Sequence, residues 1–367
     1  MSVPSKFRSI LDPFIEDLKA RETISGIGLF GSWSRGDASP SSDVDLLIVE
    51  SKDFDYEYVE RVEVNSCLVD LNYVPKRWII YRVPPEIDQK IYEMKVIFDR
   101  DGSLTKAKNL MSKVYWRPER VEIRTEAHLI EADTYLSRAR LAFNRGDYQS
   151  AKFNSIMSFR SLMKILTEIG RKPILGSFFI RNLEPVSKSL NMYPLYENYI
   201  RLMGLAGLSK ADVKVMLDTL SSVWRSIMDF TAVNISFTKS FHPKVGAKLN
   251  YYGREAFLKG LIARLRDLIE EAPIESAHYM FHVLADVLEC YALLLSVVEG
   301  VRFDYATTMK YLSESKSSPA EIYRGAVNIL NIKNVSGREA EETLKSVTEN
   351  ALNIRRKRKD LISQFIG

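Results

Sequence analysis

Two short stretches near the start of the chain carry residue types that can do chemistry together. Gly31-Ser32 follows the apolar run Ile24–Phe30, and after ten further residues Asp43-Val44-Asp45 opens a second apolar run. A glycine at the end of a strand lets backbone N–H groups come close to a phosphate, and a serine adds a hydroxyl donor. Strand side chains alternate, so Asp43 and Asp45 point to one face. Two carboxylates there repel and are costly to desolvate unless a cation faces them. Magnesium, which prefers oxygen ligands and substrate phosphates, would relieve that repulsion.

Positioning these groups requires a small sheet. The spacing of Phe7, Ile10, Leu11, Phe14, Ile15 and Leu18 predicts an amphipathic helix, with Pro13 as a possible kink or restart. Residues 24–30 and 45–50 read as strands, the second fully buried. A third strand is predicted over 61–74, and Pro84-Pro85 starts a helix to about Met94. Residues 95–102 then read as a strand running into an Asp-Gly turn.

The paired motif, GSWSRGDASPSSDVDLLIV over 31–49, resembles the signature of the DNA polymerase β-like nucleotidyltransferase superfamily. It is similar to the form found in minimal nucleotidyltransferases and kanamycin nucleotidyltransferase-like enzymes, with Ser34 where that form usually has alanine. The likeness covers about residues 24–102. It implies a third carboxylate on a neighbouring strand, for which Asp70, an acid amid apolar residues, is the candidate; Asp99 and Asp101 read as an exposed pair in a turn. It further implies that Gly31 and Ser32 hold the phosphates of a nucleoside triphosphate, and that Asp43, Asp45 and Asp70 bind two Mg²⁺ ions. Asp70 would also take the proton from an acceptor hydroxyl. Arg35 is placed either to contact phosphate or to pair with Asp37.

After residue 103 the character changes to helix and loop. Two long helices span 125–170, broken at Arg145-Gly146-Asp147, and they loosely resemble HEPN-like helical domains, though the Arg–His spacing of HEPN ribonucleases is missing. Helices are predicted over about 210–230, 254–271, 276–298, 320–329 and 336–365. The basic, aromatic and breaker-rich segment 239–253 reads as a linker or binding loop, with Phe241, His242, Lys244, Lys248, Tyr251 and Tyr252 able to stack on bases. His278, His282 and Asp286 fall on one helix face at metal-ligand spacing, but within an apolar run that reads as structural. Arg355 to Lys359 are five consecutive cations near the C-terminus, readable as an RNA contact or as a solvated helix end.

Composition narrows the class. The 367 residues carry 52 Lys and Arg against 47 Asp and Glu, a net charge of +5. The front is acidic: residues 1–110 hold 15 basic and 19 acidic side chains, so the excess of cations lies in the helical part. That excess suits either a phosphate-bearing partner or simply Lys/Arg-rich helix surfaces. Cys67 and Cys290, far apart, argue against a disulfide framework and for a reducing compartment. With neither a signal-peptide layout nor an apparent membrane-length apolar run, the expected location is cytoplasmic, with no membrane partner.

The expectation is an α+β chain: a small mixed-sheet polymerase β-like nucleotidyltransferase domain over 1–115, then a larger all-helical region, divided as 116–238 and 239–367. The resemblance implies Mg²⁺-dependent transfer of a nucleoside monophosphate, with ATP the expected donor, to a hydroxyl of a small molecule or protein. The alternatives are template-independent addition to RNA, or a non-catalytic module that binds ATP as a sensor or partner.

Overall fold

A computed structural model describes residues 5–39, 41–65 and 67–367, with side chains from residue 11 onward; Phe7 and Ile10 therefore lie outside the described side chains. The strands are β1 (Ile24–Phe30), β2 (Val44–Glu50), β3 (Tyr58–Val64), β4 (Cys67–Pro75) and β5 (Lys95–Asp99). The first helices are α1 (Ser5–Ala20), α2 (Gly31–Arg35), α3 (Lys76–Ile80), α4 (Asp88–Glu93) and α5 (Ser103–Val114). They are followed by α6 (Pro118–Asn144), α7 (Tyr148–Ile169), α8 (Phe179–Ser189), α9 (Tyr193–Leu202) and α10 (Lys210–Val233). The chain continues with α11 (Pro243–Tyr252), α12 (Glu255–Glu271), α13 (Pro273–Val298), α14 (Thr308–Glu314), α15 (Ala320–Ile329) and α16 (Gly337–Phe365).

Two compact units result. One comprises Met1–Tyr115 with Thr238–Arg264, the other Trp116–Phe237 with Leu265–Gly367. The first unit ends its N-terminal segment at Tyr115. Residues 239–264 group instead with the sheet, because α11 packs along β3.

In the first unit the sheet has the order β3-β4-β2-β1-β5, with β2 and β4 parallel and the other neighbours antiparallel. The single strand expected over 61–74 is two. The chain turns back at Asn65, whose φ of 47° lies in the left-handed region that asparagine tolerates, and Val64 pairs with Cys67. One sheet face is apolar: Leu11, Ile15 and Leu18 of α1 cluster with Ile27, Leu29, Leu46, Ile48, Val69 and Leu71. Pro13 sits inside α1 without interrupting it. The opposite face carries the polar residues of β2, β3 and β4. There Gly28 leaves room for Met94, whose sulfur would lie 2.7 Å from any Cβ at that position.

The second unit is helical. The turn between α6 and α7 runs through Gly146, and the Asp147 carboxylate caps α7 by accepting from the Ser150 amide at 3.0 Å. Small residues let α16 join this hairpin closely: Ala142, Ala151 and Ala340 form one buried cluster. Helix α13 corrects the expectation of no membrane-length run, since an 18-residue window reaches a mean hydropathy of 1.8. That window is 67% buried inside the unit, as a core helix would be.

Candidate active site

Register builds the site. Phe30 of β1 pairs with Asp45, Asp45 with Asp70, and Asp70 with Arg61, so one row crosses four strands and its side chains share a face. Asp43 lies just before β2 on the same side. At the end of β1, Gly31 has a φ of +70°, and a Cβ there would fall 2.2 Å from an Asp45 carboxylate oxygen. Only glycine serves both demands.

Arginine holds the carboxylates. Arg61 Nε and Nη2 each donate to Asp70 at 2.6 Å, and Nη2 also donates to Asp43. Arg264, from α12, donates to the other oxygen of Asp43. The Tyr251 hydroxyl, from α11, donates to Asp70 Oδ2 at 2.9 Å. Arg61, Asp43 and Asp70 are all buried.

The three acids differ in their proton affinity. Burial would raise the Asp43 carboxyl, but Arg264 and Arg61 hold it below the ordinary range. Asp45 is pushed well above that range, first by burial and then by the charges of Asp43 and Asp70. Burial also raises Asp70, against the opposing pull of Arg61 and Tyr251. Tyr251 is raised well above an ordinary phenol by burial and by Asp70.

Among the described residues, no three His, Cys, Asp or Glu side chains converge closely enough to hold a metal ion as they stand. The donor set is nonetheless all oxygen, and the Arg61 guanidinium bridges Asp43 and Asp70. Asp45 faces the bare backbone of Gly31. These residues fit a hard divalent ion exchanged for the arginine charge.

The predicted phosphate-contacting residues meet an internal carboxylate. The Gly31 amide donates to Glu93 Oε1 at 3.0 Å, and Arg35 Nη1 to Glu93 Oε2 at 2.9 Å. Arg35 also pairs with Asp37 at 3.1 Å, as one of its two sequence readings had it. The neighbouring Ser34 hydroxyl donates to the Glu93 carbonyl at 2.5 Å, and the Ser32 carbonyl accepts from the amides of Gly36 and Asp37. Asp99 caps α5, accepting from the Leu104 and Thr105 amides, and Asp101 pairs with Lys76.

Four participants were not identified from the sequence as site groups: Arg61, Glu93, Tyr251 and Arg264. The hairpin would have revealed Arg61, because its register sets that residue opposite Asp70. Tyr251 lies in the segment 239–253, most of which is helix α11 rather than a loop. The other signals resolve within the second unit. His278 and His282 both bond the Tyr199 hydroxyl through Nε2, at 2.8 and 3.0 Å, and each other at 3.1 Å. They are buried, with Phe179 stacked on His278, which is a packed core arrangement. Within the basic run, Arg355 pairs with Asp133, Arg358 with Glu126 and Lys359 with Glu122.

Comparison with known proteins finds a family likeness over the sheet-bearing part of the chain. Residues 11–100 match the nucleotidyltransferase domain family. Over 45 residues the chain is 51% identical to the Methanocaldococcus jannaschii protein named "Putative protein adenylyltransferase MJ0604", covering 12% of this chain and 45% of that one. The chain thus spans less than half the length of that curated relative. A crystal structure of a nucleotidyltransferase-like protein from Exiguobacterium sibiricum 255-15 aligns at a TM-score of 0.35 and 16% identity, over 76% of this chain and 80% of that one.

Proposed function

We propose that this chain, whose residues 11–100 form a polymerase β-like nucleotidyltransferase domain, transfers a nucleoside monophosphate from a nucleoside triphosphate to an acceptor hydroxyl. ATP is the expected donor and pyrophosphate the second product. The observation that carries the reading is the row Asp45–Asp70–Arg61, with Asp43 at its mouth and bare Gly31 backbone opposite Asp45.

Asp43, Asp45 and Asp70 would hold the magnesium ions, which supply charge neutralisation on the phosphates and at the attacking oxygen. The chain's own groups do the rest. The Gly31 amide and Arg35 bind and orient the triphosphate once Glu93 yields them. Asp70 receives the acceptor proton, and it already accepts a hydroxyl from Tyr251 at 2.9 Å. Arg61 and Arg264 keep Asp43 ionised.

A protein or small-molecule acceptor is favoured over RNA. The relative is named for protein adenylylation, and most of the C-terminal basic run is engaged in ion pairs. A non-catalytic nucleotide-binding module is the second reading, favoured by the arginines and Glu93 that satisfy the site internally.

The test supplies Mg²⁺, each α-labelled nucleoside triphosphate in turn, and cell extract split into small molecules, RNA and protein. Label entering one fraction with the wild type, and not with Asp45→Asn or Asp70→Asn, identifies the transferase and its acceptor class. Nucleotide binding without any transfer or pyrophosphate release would replace it with the sensor reading.

A further inference from the structure

We propose that Tyr251 is itself an acceptor, so that this site nucleotidylates its own chain; the inference rests on the transferase reading of the same site. A general base must lie within about 2.6–3.2 Å of the oxygen whose proton it takes. The phenol of Tyr251 meets that condition at Asp70, with a hydrogen bond of 2.9 Å to Oδ2. The same carboxylate oxygen is bound by Arg61 Nη2, whose guanidinium lies over the Tyr251 ring at 5.4 Å from its centroid. Arg61 therefore touches both the base and the phenol ring.

The ring is held in that attitude. Phe257 meets it edge-on at a centroid distance of 4.8 Å, and Tyr252 lies at 5.4 Å. A fixed nucleophile loses little orientational freedom on reacting. A cavity adjoins the ring. Tyr251 lines a cavity of about 610 Å³ with Tyr56, Tyr58, Phe241, Asn250 and Arg254. That is within the roughly 300–1,000 Å³ range of sites that hold drug-sized ligands. Its aromatic walls suit a base, while Glu50, Asp53 and Glu60 share the lining with Arg254, and the cavity lies beside the row of acids rather than on it.

The step balances without any redox partner. The phenolic proton passes to Asp70, the tyrosyl oxygen forms a bond to the α-phosphorus, and the bond from the α-phosphorus to the bridging oxygen breaks. Its electron pair leaves with pyrophosphate. The product is a tyrosyl phosphodiester.

The experiment begins with the intact mass of the full-length chain as purified, before and after phosphodiesterase, and repeats it after incubation with ATP and Mg²⁺. The expected result is a gain of one nucleoside monophosphate, removed by phosphodiesterase and mapped to the Tyr251 peptide. Tyr251→Phe should lower labelling of the chain by about tenfold or more, as loss of a nucleophile does, whereas Tyr252→Phe should retain it. The wild-type peptide map stands even if a variant folds poorly. Label on Tyr252 or any other residue overturns the assignment. Pyrophosphate release or labelled extract with an unmodified chain overturns self-modification and leaves the transferase reading intact. Neither product would overturn both.

Discussion

Replacing Arg61 with leucine asks whether a guanidinium holds the place of a cation. Its side chain is about 5% exposed and faces Asp43 and Asp70 at 9% and 8%. Removing one partner from a buried ion pair costs about 3–5 kcal/mol, because the other charge is left uncompensated. Here Arg264 still reaches Asp43 and Tyr251 still reaches Asp70, so the lower end, about 3 kcal/mol, applies. At about 4 °C per kcal/mol for a unit of this size, the metal-free melting point should fall by roughly 12 °C. Calorimetry on the full chain, following the transition of the sheet-bearing unit, reads this directly. Arg61→Lys, which keeps the charge but loses the bidentate fork, should fall between. Mg²⁺ at about 100 times its dissociation constant adds about 2.7 kcal/mol to a protein that binds it only when folded, enough to restore most of the loss in Arg61→Leu. Wild type should gain less, since the ion must displace the arginine. Little loss on substitution would refute the idea that Arg61 holds these carboxylates in the fold. A large loss with no Mg²⁺ response would refute the idea that they accept a cation in its stead.

Two further outcomes follow from protonation. Asp45 titrates above its unfolded value, so wild-type stability is fullest below the ordinary carboxylate range and falls as pH rises through the folded value. In chelator, Asp45→Asn should therefore equal or exceed wild type at neutral pH, with the gap closing towards about pH 4; denaturant midpoints at the two pH values check this. His278 and His282 are held well below an ordinary imidazole by burial and by Arg160, so the folded state resists protons that the unfolded chain accepts. The second unit should lose up to about 2.7 kcal/mol per pH unit as pH falls below about 6.5. His282→Gln should halve that slope in denaturant titrations, and an unchanged slope would count against the pair as its source.

Much of the candidate site was legible because its residues conflict with their surroundings and match the motif of a known family. Asp43, Asp45 and Asp70 stand in apolar runs where alternation does not ask for acids, and Gly31 follows a strand with no side chain to pack. The strands themselves followed from β-branched periodicity. What stayed hidden depended on contacts distant in sequence. The turn at Asn65 lacks the Asn-Gly signature of a hairpin, so one strand was read for two and Arg61 was left without a position. Pro243 and Gly246 looked like breakers, yet a proline in the first helical turn sacrifices no hydrogen bond, and α11 begins there. Tyr251 and Arg264 lie 181 and 221 residues from the acids they touch, and local pattern does not carry such distances.

The turn at Asn65 does more than join two strands. Side chains on β3 change face at every residue, so one residue added or lost in the turn would bring Glu60 or Val62 opposite Asp70. The first would set three acids against a fourth, and the second would leave them facing an aliphatic wall. In either case the metal-free protein would lose the guanidinium that bridges Asp43 and Asp70, and with it stability. The length of that turn thus sets how far the site neutralises its own carboxylates with a side chain of its own.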